Sequence, residues 1–173
     1  MEIIRLNPSD VNELLILSRK TFDESFGHLN KPENMDFYMD RAFTIEKLFS
    51  ELLNPFTEFY FLKINIDIVG YLKVNTHQAQ SDLNDELSLE IERIYIDSRF
   101  QGSGYGAVLI EQAKQRCRAL KLSYIWLGVW EKNTDGIRFY QRHGFEIFSS
   151  HPFVFGDEVQ TDLLMKYYLE KDT

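Results

Sequence analysis

Six consecutive residues, Gln101-Gly102-Ser103-Gly104-Tyr105-Gly106, are the part of this sequence best suited to hold a ligand. Three glycines at alternate positions let a backbone approach a partner closely, and they stand where an expected strand gives way to an expected helix. The free N–H groups of a helix start favour an anion, so the segment suggests a phosphate or pyrophosphate. A Walker loop would end in Gly-Lys-Ser/Thr, which does not occur here. A dinucleotide fingerprint is matched literally by Gly102, Gly104 and Ala107, with Glu131 available as the ribose acid. That fold, however, needs more βα units than the two this chain offers. Other reactive residue types point to ordinary roles. Cys117 falls on the apolar helical series Leu109, Ala113, Cys117, Leu120, with no His nearby in sequence, and reads as core rather than nucleophile. His28, His77, His143 and His151 lack metal-ligand spacing, so no metal is expected. For Glu24, Glu33, Glu86, Glu90, Glu131 and Asp162 solvated surface is the default, though some of these acids can steer a polycation.

The elements that must position such residues follow from the apolar pattern. A first strand is expected at Glu2 to Leu6, and Pro8-Ser9-Asp10 opens a helix running to about Phe26. Two shorter helices fill Lys31 to Leu53, divided near Phe43-Thr44, where Thr44 caps the second. Strands at Glu58 to Ile64 and Ile68 to Asn75 are joined by the turn Asn65-Ile66-Asp67. The polar stretch His77 to Asp85 reads as a loop. Beyond it come a strand (Leu87 to Ile96), the glycine-rich turn, a helix (Ser103 to Leu120), a strand (Tyr124 to Trp130) and a helix (Thr134 to His143). Strands near Phe145 to Phe155 and Thr161 to Leu169 close the chain. This is an α+β arrangement, with a mixed sheet and flanking helices.

One strand breaks its own alternation. In Leu87 to Ile96 the apolar residues occupy odd positions at 87, 89 and 91, then even positions at 94 and 96. A regular strand cannot keep both sets on one face. A β-bulge near Glu92-Arg93 reconciles them, bends the strand and leaves backbone groups free for a ligand.

Composition limits the function classes. The 173 residues carry 19 Lys+Arg against 27 Asp+Glu, a formal charge of −8, with 44% hydrophobic and 14% aromatic residues. Such a chain supports one packed domain spanning 1–173 without disulfide or metal staples. Its acidity weighs against counterion-releasing attachment to DNA or RNA and is compatible with cationic partners. A single cysteine excludes an internal disulfide framework. Neither a secretory signal nor an apolar run of membrane-spanning length is visible, so a cytoplasmic protein with no membrane association is expected.

Two segments together carry a family resemblance. Gln101-x-x-Gly104-x-Gly106 resembles the acyl-CoA pyrophosphate loop of the GNAT N-acetyltransferase superfamily. Asn133-Thr-Asp-Gly-Ile-Arg-Phe139-Tyr140-Gln-Arg142-His-Gly144-Phe145 resembles its second signature, with Gly136 where Ala is common. A glycine there costs a helix up to about 1 kcal/mol, so a packing reason for it is expected. Leu89 to Ile96, Ile125 to Asn133, Gly156 to Asp162, Thr21 to Gly27 and Pro32 to Met35 look like the bacterial PaiA-type spermidine/spermine N-acetyltransferases.

The resemblance implies a mostly antiparallel GNAT sheet with a splayed, bulged strand, and transfer of acetyl from acetyl-CoA to a primary amine of a polyamine in a ternary complex. It implies that backbone of Ile94, Tyr95 and Ile96 pairs with the pantetheine arm. Gln101, Gly102, Ser103, Gly104, Tyr105 and Gly106 would hold the pyrophosphate, Asn133 would hydrogen-bond the pantetheine side, and Arg142, on the helix that follows, would approach a phosphate. Tyr140 would protonate the leaving thiolate, and Glu92 would deprotonate the amine, with water or another acid such as Glu90 as the alternative base. A polyamine nitrogen is an ammonium at neutral pH and must lose a proton before it attacks, which is the use of a carboxylate here. The partners expected are therefore acetyl-CoA and a cationic small amine, and a homodimer is allowed. Two rivals stand beside this reading: acetylation of a protein, peptide or other small amine, and a non-catalytic acyl-CoA sensor.

Overall fold

The computed structural model describes residues 1–169. Its strands are β1 (Glu2–Arg5), β2 (Thr57–Ile64), β3 (Asp67–Asn75), β4 (Ser88–Ile96), β5 (Tyr124–Trp130), β6 (Glu146–Phe155) and β7 (Glu158–Tyr168). Its helices are α1 (Val11–Phe26), α2 (Pro32–Ala42), α3 (Ile45–Leu53), α4 (Tyr105–Ala119) and α5 (Thr134–Arg142). The strands form one sheet in the order β1-β2-β3-β4-β5-β7-β6. Among the described residues only β4 and β5 run parallel, joined through α4 as a crossover must be. The mixed, mostly antiparallel sheet and flanking helices agree with the α+β expectation.

Local chemistry explains the helix limits. Thr44 Oγ1 accepts from Lys47 N–H at 3.1 Å and starts α3. Asn7 caps a short turn at Pro8–Asp10, so the long helix α1 begins at Val11 rather than at Pro8. Helix α4 begins at Tyr105, two residues later than expected. Gly104 sits at φ +81°, a left-handed conformation that cannot be part of a helix.

Alternation along β2 divides the core into two layers. Tyr60 and Leu62 face a layer shared with α4, which includes Leu109, Ala113 and Cys117. Phe59 and Phe61 face α1–α3, where Leu14, Phe22, Met35, Phe43 and Leu48 pack. These layers hold the frame in place: truncating a fully buried side chain such as Leu89 to Ala costs about 2–5 kcal/mol.

The frame is interrupted at β4. Lys73 of β3 faces Arg93, but the next residue, Val74, faces Ile91, so Glu92 is the extra residue of a bulge. The bulge returns Ile94 and Ile96 to the layer already occupied by Leu89 and Ile91, as the broken alternation required. Beside it, β4 and β5 pair only from Ser88↔Tyr124 to Glu90↔Trp126. Beyond that point they separate and a cleft opens. Among the described residues no helix is long and apolar enough to cross a membrane.

Candidate active site

The opening between β4 and β5 has two sides. One cavity, about 590 Å³, lies against the glycine loop and the start of α4. The other, about 500 Å³, lies over the sheet toward α1, α2 and the β6–β7 hairpin. Ile94, Tyr95, Asn133 and Tyr140 line both, so the two spaces meet at Tyr140.

The first side is built mainly from backbone. Asp97 N–H pairs with Val69 O of β3 at 2.9 Å. By the two-residue alternation, the N–H and C=O groups of Ile94 and Ile96 point the other way, into the gap left by β5. Gln101 Nε2 reaches the Ile96 carbonyl there at 3.1 Å. Gly102 and Gly104 both have positive φ, and open space lies where their β-carbons would stand. The turn thus needs glycine for its angle and leaves its surface free for a ligand. Gly106 is glycine for a different reason: a β-carbon would come within 3.0 Å of the Phe139 ring, so α4 and α5 touch there. Asn133 Oδ1 caps α5 by accepting from Gly136 N–H at 3.0 Å, and a β-carbon on residue 136 would lie 2.6 Å from Asn133 Nδ2. That is the packing reason expected for Gly136. Arg142 lines the same cavity from an exposed position. Burial raises the Tyr140 phenol well above its usual range, so the hydroxyl keeps its proton, as a donor must.

The second side is built from side chains of α1, α2, the loop before β4, and β4 to β7. Aromatic faces come from Phe22 and Phe26 of α1, Tyr38 of α2, Trp126 and Trp130 of β5, and Phe153 and Phe155 of β6. The β6–β7 hairpin reaches α2, where Asn34 Nδ2 donates to Asp157 at 2.7 Å and Lys31 pairs with it at 3.1 Å. The charged wall consists of Asp82, Glu90, Glu92 and Asp162, with His151 Nδ1 2.5 Å from Asp82 and Nε2 3.8 Å from Asp162. Among the described residues this cavity has no Lys or Arg in its wall.

Glu92 projects from the bulge onto Lys73 Nζ (2.5 Å) and Arg93 Nη2 (3.4 Å) and accepts from Asn75 Nδ2 at 2.6 Å. Burial alone would raise its pKa, but the charges of Lys73 and Arg93 outweigh burial and bring it down to about 2. Its neighbour Glu90 is shifted upward, first by burial and then by the charge of Glu92.

The remaining expectations sort readily. Cys117 is fully buried, its thiol pushed up to about 12 by burial, and it is a core residue. Trp126 lines the cavity while its Nε1 donates to Gln80 Oε1 at 2.6 Å. Sequence reasoning did not single out Asp82, Lys73, Asn75 or the aromatic residues of α1 and α2 as parts of one site. No local motif marks them, because tertiary packing alone brings these segments together.

Comparisons with known proteins agree with this frame. The fold matches the crystal structure of the PaiA N-acetyltransferase of Thermoplasma acidophilum in complex with coenzyme A. The TM-score is 0.79 at 18% identity, over 98% of this chain and 100% of that one. An uncharacterised N-acetyltransferase of Lactobacillus delbrueckii subsp. lactis is 40% identical over 166 residues, 96% of each chain. The spermine/spermidine N(1)-acetyltransferase of Bacillus subtilis is 32% identical over 81 residues, 46% of this chain and 53% of that protein. The profile of the acetyltransferase (GNAT) family matches residues 19–145. This chain belongs to that family of N-acetyltransferases, with acetyl-CoA as co-substrate.

Proposed function

We propose that this N-acetyltransferase transfers the acetyl group of acetyl-CoA to a primary amine of a polyamine of the spermidine/spermine class. The observation that carries the reading is the second cavity: carboxylates and aromatic faces make up its wall, and no Lys or Arg does among the described residues. Carboxylates attract ammonium groups, and aromatic rings cover the methylene segments between them while tolerating nearby cations. The partial likeness to the Bacillus subtilis enzyme supports the same substrate class.

On this reading the glycine-loop amides hold the pyrophosphate, with Arg142 beside it, and the exposed edge of β4 at Ile94 and Ile96 pairs with the pantetheine arm. Both halves of the reaction then converge on Tyr140. A carboxylate at the β4 bulge takes one proton from the substrate ammonium. The freed nitrogen attacks the acetyl carbonyl carbon, a C–N bond forms and the C–S bond breaks. Tyr140 protonates the departing thiolate and is restored by the proton the new amide nitrogen sheds. One hydrogen stays on that nitrogen, so one proton is released per turnover.

The test is turnover of acetyl-CoA with a panel of amines. Spermidine and spermine should be acetylated in preference to neutral amines and N-terminal peptides. Their KM at saturating acetyl-CoA should rise with salt, since exposed charge contacts are screened within about 10 Å at 0.1 M. A flat KM, or preference for a peptide amine, rejects the polyamine substrate.

A further inference from the structure

Two carboxylates meet at the bulge, and the protein treats them differently. Asn75 is fully buried, and its side-chain amide joins them: Nδ2 donates to Glu90 Oε2 at 2.9 Å and to Glu92 Oε2 at 2.6 Å. Its Oδ1 is occupied by Thr57 Oγ1 at 2.9 Å, which fixes which end of the amide faces the acids. All the nearby cations are on Glu92. Lys73 lies behind it, almost entirely buried, and is itself held by Glu51 of α3 at 3.0 Å. Arg93 spans the same two acids, Glu51 at 3.3 Å and Glu92 at 3.4 Å. Glu90, only 2% exposed, has no cation partner among the described residues. It accepts from Asn75, from Ser81 N–H at 2.9 Å and from the Ser81 hydroxyl.

We propose that Glu90 is the catalytic residue that takes the ammonium proton, with Glu92 a standing anion beside it and Lys73 and Asn75 positioning residues that hold the pair in these unequal roles. This assignment rests on the acetyltransferase reading above and replaces Glu92 as the base. Two carboxylates this close do not titrate independently, and the one without a cation takes the proton first. The directions agree: Glu92 is brought down to about 2 by Lys73 and Arg93 against its burial, while Glu90 moves up through burial and the charge of Glu92. An acceptor held near 2 is poorly matched to an ammonium, whereas a carboxylate raised toward the working pH is better matched. The other titratable groups facing this cavity from the loop before β4, from β6 and from β7 are Asp82, His151 and Asp162. His151 is engaged with the two aspartates rather than with Glu90. The proton leaves as R–NH3⁺ + Glu90–COO⁻ → R–NH2 + Glu90–COOH, and Glu90 then returns it to water.

The whole protein, labelled at glutamate Cδ, allows a test that needs no turnover. Carbon chemical shifts followed against pH should show one glutamate titrating above the ordinary range. That signal should vanish in E90Q and move to lower pH in E92Q, while in the wild type and in E90Q the Glu92 carboxylate should stay ionised across this range. A Glu92 signal titrating above Glu90, or a Glu90 titration indifferent to E92Q, overturns the proposal. In kinetics, E90Q should lose about 10²–10⁴-fold in kcat/KM at pH 7 with CoA affinity retained. E92Q should lose less and shift the acid limb of the profile to lower pH. K73M, which removes a cation, should shift that limb to higher pH, and K73R should return it toward wild type. Wild-type kcat/KM in a folded E90Q protein overturns Glu90 as the base. If the wild type acetylates no amine in the panel, the polyamine reading falls, and the carbon titration still decides the roles of the pair.

Discussion

The two sides of the cleft are made in opposite ways. The glycine-loop side spans residues 94–143 and presents main-chain groups at a strand edge and a helix start. The opposite side draws side chains from α1, α2, the loop before β4, and β4 to β7. Main-chain groups are the same in every sequence, so the first side suits a ligand that does not vary. Side chains alter with each substitution, so the second side is where one acetyltransferase differs from another. Tyr140 stands at their junction and lines both.

Removing the junction should have the largest effect. Tyr140→Phe keeps the ring, whose neighbour Phe145 lies at 5.9 Å between centroids, and removes only the hydroxyl. We expect kcat to fall about 10²–10⁴-fold with CoA affinity nearly unchanged, measured by steady-state kinetics and calorimetry. Equal losses in CoA affinity and kcat would instead place the phenol in cofactor binding.

A substitution confined to the backbone-built side should act on binding alone. Gly104→Val places a branched side chain at φ +81°, a conformation that costs roughly 1–3 kcal/mol for such a residue. If the loop keeps its shape to hold CoA, the strain appears as CoA binding weakened about tenfold or more, at 1.4 kcal/mol per decade. Unchanged affinity in a folded Gly104→Val protein would remove this loop from the cofactor site.

The smallest expected effect concerns the cap shared by both sides. Replacing a mid-helix glycine by alanine ordinarily gains about 1 kcal/mol. At residue 136 the new β-carbon meets the Asn133 amide, so the cap must shift and its contribution of about 1 kcal/mol is put at risk. Gly136→Ala should therefore leave the melting temperature unchanged or lower it slightly. A clear rise would show that Asn133 relaxes without loss.

Order along the chain determined much of this protein. The glycine loop, the Asn133–Phe145 segment and the broken alternation in β4 are each contiguous, and each was legible because a turn angle, a helix cap or a strand period acts between near neighbours. Even the bulge could be located to Glu92-Arg93 from parity alone. Element limits were less legible where one residue's conformation decided them. The start of α4 waits on the left-handed Gly104, and β7 begins at Glu158 because Gly156, at φ +62°, turns the hairpin tightly.

Only the tertiary structure decided which acids belong together. Glu90 and Asp162 looked like surface carboxylates because their apolar neighbours say nothing about what lies across the cleft. The polar stretch before β4 looked like a plain loop, yet Gln80 meets Trp126, Asp85 accepts from Tyr124 Oη at 2.5 Å, and Ser81 meets Glu90. Whether a carboxylate keeps or gives up its proton depends on the charges within a few ångströms, and for Glu92 those charges sit 19 residues back on β3, next door at Arg93, and behind Lys73 on α3. Coulomb energy falls with distance through space and takes no account of separation along the chain. The sequence therefore sets out the frame and the glycine loop, and folding gives the two carboxylates their unequal charged neighbours.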